Sequence, residues 1–76
     1  MNPVVIVEAI DDLLKVTDKL LAKTPNYPEK NKADLAELKK NFSVYKDTPL
    51  EFRVNSYLHN LHKEILGHVN SMVDAI

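Results

Sequence analysis

The sequence predicts an all-α fold, a small antiparallel, up-down-up bundle of three long helices. Three observations carry this. Apolar residues recur at the helical period through three stretches. The prolines, Pro3, Pro25, Pro28 and Pro49, fall between those stretches or at their first positions. A single glycine serves the whole chain of 76 residues, whereas sheets draw on glycine for turns with positive φ. The length suits one domain, residues 1–76, near the lower limit at which one core holds a fold.

The first helix is expected over about 3–23. Asn2 reads as its N-cap and Pro3 as its first residue, where a missing N–H costs nothing. Ile6, Ile10, Leu13, Thr17 and Leu20 form one face, widened by Val7, Leu14 and Leu21. Glu8, Asp11 and Asp12 lead and Lys15, Lys19 and Lys23 follow, the order that the helix dipole favours. The run Val4–Val7 taken alone would suit a strand, but the helical period continues through it. Thr24 and Tyr27 each precede a proline, which drives them out of the α region and ends the helix.

A second helix over about 29–46 carries a narrow stripe of Leu35, Leu38, Phe42 and Tyr45, flanked by charge. Next, Thr48 and Glu51 have capping-box spacing, with Pro49 at the first helical position. The third helix is therefore expected over about 49–75, through Val54, Leu58, Leu61, Ile65 and Met72, with Leu66, Val69 and Val73 beside them. Such a helix would reach about 40 Å, against roughly 30 Å and 27 Å for the other two. Its last turns would outrun their partners. Either the chain bends at Gly67 into a short fourth helix, or Val69, Met72, Val73 and Ile76 meet a protein partner or a second copy.

Composition narrows the function classes. Apolar residues make up 45% and charged residues 28%, which is globular rather than disordered. Cysteine is absent, so disulfides and thiolate metal sites are excluded. The net charge of −1 comes from mixed acids and bases and gives no basic face for nucleic acid. Lys30, Lys32, Lys39, Lys40 and Lys46 are largely offset by Glu29, Asp34, Glu37 and Asp47. No apolar run is long enough to insert in a membrane, and no secretory leader is legible, so a cytoplasmic location is expected.

His59, His62 and His68 are the residues that most invite a chemical role. His59 and His62, three apart, can share a helix face, but two imidazoles leave a zinc site incomplete. The spacing in "HKEILGH" is not that of the zincin motif. His68 continues the seam from Val54 and Leu61 by sevens, so it is expected at or beside the core, bonded to a carbonyl or to a polar neighbour, with a titrating switch as the second reading. Ser43, Ser56 and Ser71 show no adjacent base, and Asp11 and Asp12 point about 100° apart on a helix. The expectation is a non-enzyme with no cofactor and no metal site.

The stripe Leu35, Leu38 and Tyr45, the short turn holding Pro49 and the run Arg53–Leu58 resemble the immunity proteins of pediocin-like bacteriocins. That resemblance implies a cytoplasmic antiparallel four-helix bundle that guards the producing cell. It also implies a partner, the complex of bacteriocin with a sugar-transporting membrane permease, with specificity toward the C-terminal end. The segment "LLAKTPNYPEKNKADLAEL" is similar to the proline-bounded turn of secretion-needle subunits, which implies a self-assembling structural protein. A phage or plasmid inhibitor of a host protein would use the same kind of helix face.

Overall fold

The computed structural model describes residues 3–52 and 54–76, and consists of three α-helices and one short turn. Helix α1 spans Pro3–Lys23, α2 spans Glu29–Lys46 and α3 spans Asn55–Ala75. A single 3-10 turn, Leu50–Phe52, precedes α3. Asn2, the expected N-cap, and Arg53 lie outside the described residues.

Each break has a local cause. At the end of α1 the Thr24 hydroxyl donates to the Leu20 carbonyl at 2.9 Å, while Pro25 cannot continue the helix. The Tyr27 N–H then returns to the Thr24 carbonyl at 3.0 Å, closing a tight turn. Pro28 caps α2 with φ −55° and ψ 140°, and its carbonyl accepts the Lys32 N–H at 2.9 Å. After α2, the Phe52 N–H reaches the Pro49 carbonyl at 2.9 Å, forming the 3-10 turn. Val54 is extended, with φ −100° and ψ 117°, and caps α3.

Helix α3 therefore begins at Asn55 and not at Pro49, which corrects the expected range. The signal at Thr48–Glu51 marks the start of a turn, and such a cap serves a 3-10 turn as well as an α-helix. Val54, expected on the apolar seam, is instead the exposed cap of α3. The expected bend at Gly67 is also absent. The helix runs through Gly67 without positive φ, and there is no fourth helix after it. With 21, 18 and 21 residues, the three helices have nearly matched lengths. The excess expected of a longer third helix does not arise.

One core joins Ile6, Ile10 and Leu14 of α1 to Phe42 of α2 and Leu58, Leu61 and Ile65 of α3. A second cluster, Tyr27, Leu35 and Met72, closes the far end, with Leu20 and Leu21 packed on it. Buried Thr17 lies between them on α1 and donates to the Leu14 carbonyl at 2.7 Å, so its hydroxyl is satisfied. The order of these contacts has α3 running alongside α1 in the same sense. Lys39 pairs with Asp18 at 3.3 Å and Lys46 with Asp11 at 2.9 Å. Numbers rise along α2 as they fall along α1, as two oppositely directed helices require. At the backbone level α3 sits closest to α1, and α2 lies more lightly across the pair. The extents are 40 × 20 × 17 Å.

Candidate functional site

Two surfaces stand out, on opposite sides of α3. The first is a cleft of about 600 Å³ between α2 and α3. Tyr27 and His68 meet there, with the phenol oxygen 2.6 Å from Nδ1 and the rings edge to face at 6.0 Å. Tyr27 is buried because the Thr24–Pro28 turn folds it under Met72 and Leu35. Asp34, Glu37 and Glu64 also line the cleft, and among the described residues no lysine or arginine joins its wall. Gly67 contributes only backbone, and a Cβ built there would meet nothing within 4 Å. Burial pushes the Tyr27 phenol above its ordinary 10.0; hydrogen bonding to Ser71 and Asn31 opposes this, and the Asp34 carboxylate adds to the rise. The Ser71 hydroxyl donates to the Gly67 carbonyl at 3.0 Å.

His68 thus has the polar neighbour that its seam position implied. His59 is exposed and His62 half-buried. Among the described residues no group of three or more His, Asp or Glu side chains converges to hold a metal ion. Asp11, expected on a solvated face, pairs with Lys46 across to α2.

The second surface is the α1–α3 face turned away from α2. Asp11 and Asp18 mark the α2 side of α1, and a helix turns about 100° per residue. Val5, Ala9, Leu13, Val16 and Leu20 therefore fall on the far flank of α1. Glu64, Gly67, His68 and Ser71 mark the α2 side of α3. By the same rule His62, Leu66, Val69 and Val73 fall on its far flank. Val5 is 50% exposed, Val16 40%, Leu66 38% and Val73 53%, while Ala9, Leu13, Leu20 and Val69 are half-buried between them.

The expected binding residues divide accordingly. Met72 is 0% exposed and belongs to the Tyr27–Leu35 cluster, so it is core and offers no surface, which corrects that assignment. Its i+7 relation to Ile65 places it on the seam, and a third helix of matched length leaves that seam covered. Val69 and Val73 lie on the open face, and Ile76 is 68% exposed just beyond α3. The α1 half of this face was not anticipated. Its signal was the apolar stripe of Val5, Ala9 and Val16, which makes α1 wider than a single seam needs. Among the described residues, no helix is long and apolar enough to cross a membrane.

Comparison with protein-family models, with curated proteins and with solved structures gives no match to this chain.

Proposed function

We propose that the protein is a non-catalytic, protein-binding helical bundle that works through the α1–α3 face turned away from α2. The observation that carries this is the continuous band of Val5, Val16, Leu66 and Val73, held half-open on both helices. Exposed apolar patches of this kind mark interaction sites.

Its most specific form is immunity to a bacteriocin, acting in the cytoplasm with the bacteriocin–permease complex. The stripe Leu35, Leu38 and Tyr45 and the Pro49 turn support that form through their family resemblance. Producing the chain in cells sensitive to a pediocin-like bacteriocin tests it. Those cells should survive challenge, and a Leu66→Lys variant of unchanged helicity should not protect them. Full sensitivity at verified expression would remove the immunity role and leave protein binding in place. A self-assembling structural subunit is the second reading. The division of the α1 rim into an acidic first half (Glu8, Asp12) and a basic second half (Lys15, Lys19) favours it.

A further inference from the structure

We infer that the α1–α3 face binds a second copy of this chain, α1 lying antiparallel on α1 and α3 on α3 in a two-fold dimer. This rests on the face being the interaction surface. Three features select a second copy as the occupant.

The first is size. With extents of 40 × 20 × 17 Å, the long side of the molecule is large enough to hold one partner's share of a standard interface, about 800 Å². The second is self-complementary charge. The outer rim of the α1 stripe carries Glu8 and Asp12 in its first half and Lys15 and Lys19 in its second. All four are exposed, and none pairs within the described chain. A two-fold axis passing between Leu13 and Leu14 sets Glu8 beside Lys19 of the second copy and Asp12 beside its Lys15. Symmetry repeats both pairs, as an isologous interface requires. The third is continuity along the axis. The register of α1 on α3, with Ile10 and Leu61 in one cluster and Leu20, Leu21 and Met72 at the next, puts the same axis near Ile65 and Leu66. Leu66 then meets its own symmetry mate, and His62 lies beside Val69 of the second copy. Apolar contact closes the centre while opposite charges line the rim. A net charge of −1 per chain leaves little overall repulsion to oppose the pairing.

The experiment is sedimentation equilibrium on the full chain over a wide concentration series, with two charge variants. One is Glu8→Lys with Asp12→Lys, the other Lys15→Glu with Lys19→Glu. The parent should form a dimer. Each variant alone carries a rim of one sign and should dimerise on the order of tenfold or more weakly. An equimolar mixture of the two should restore a heterodimer, because every pair is again opposite in sign. A third variant, Val16→Lys with Leu66→Lys, should abolish the dimer while circular dichroism retains its helicity. If it fails to fold, the charge-swapped mixture still decides. A parent monomeric at the highest concentration reached would overturn the second copy and leave the face to a different protein. A dimer indifferent to the rim and to Val16 and Leu66 would overturn the face itself, and the proposed function with it.

Discussion

A phenol and an imidazole 2.6 Å apart, on a turn and a helix 41 residues distant in sequence, hold the far end of the molecule together. Replacing Tyr27 by Phe keeps the packing against Met72 and Leu35 and removes the hydrogen bond. It should lower stability by about 0.5–1.5 kcal/mol in urea melts near neutral pH. The same change alters the alkaline limb. Because burial raises the folded phenol's pKa above the ordinary 10.0, the fold prefers the neutral form. That contribution is intact below 10.0 and is lost as pH climbs from there through the raised folded value. The parent's melting temperature should therefore fall more steeply than the variant's on crossing pH 10.0; equal slopes would assign the loss to other groups. His68 was legible because its spacing from Leu61 marks the seam. Its partner was not, since a tyrosine between two prolines reads only as turn, and the fold of that turn decides where the ring points.

At the scale of the elements, prolines and the helical period located α1 and α2, because a residue before proline leaves the α region whatever its surroundings. The start of α3 was harder. A capping box satisfies the first N–H groups of any turn, and nothing in Leu50–Phe52 states how long that turn will run. What ends it is tertiary. The Val54 N–H donates to the Tyr45 hydroxyl, and the Tyr45 and Tyr57 rings pack at 4.5 Å. Tyr45→Phe should accordingly cost about 0.5–1.5 kcal/mol and speed amide exchange at the first turn of α3. Exchange unchanged there would mean that Val54 holds its extended conformation unaided. Gly67 offers the opposite case. It is helical, has open space where a Cβ would stand, and needs no positive φ. Gly67→Ala should raise stability by about 0.5–1 kcal/mol, a gain that a bend at this position would forbid.

Considered as a whole, the molecule is a tight α1–α3 pair with α2 laid across it. Two residues of α2, Leu35 and Phe42, are buried, whereas α3 buries Leu58, Leu61, Ile65 and Met72. Its ion pairs to α1 are surface pairs, worth about 0–1 kcal/mol each. Native-state exchange should find α2 the least protected helix, opening below the global unfolding free energy. Phe42→Ala should cost about 3–5 kcal/mol, a large share of the roughly 4–11 kcal/mol that a chain of this size holds. Loss of less than about 1 kcal/mol would show that α2 is held elsewhere. The all-α class was legible from periodicity. The α3 half of the open flank was legible in Val69 and Val73; the α1 half was not, because a heptad stripe does not say which of two neighbours covers it. Val5 and Val16 look like any core-edge residues until Asp11 and Asp18 fix where α2 lies.

The close pairing of α1 with α3 also sets an order of events on the ribosome. Of the three helices, the earliest made finds its main partner in the latest made, so Ile6, Ile10 and Leu14 stay largely uncovered until Leu58–Ile65 have left the exit tunnel. Helices joined by short turns usually close neighbour by neighbour and fold fast, because their contacts are local in sequence. Here the decisive contacts span more than half the chain, and α2 alone gives α1 only a partial lid. Translation thus passes through an interval in which an amphipathic first helix waits for its match, the interval in which a nascent chain is most exposed to association with its neighbours.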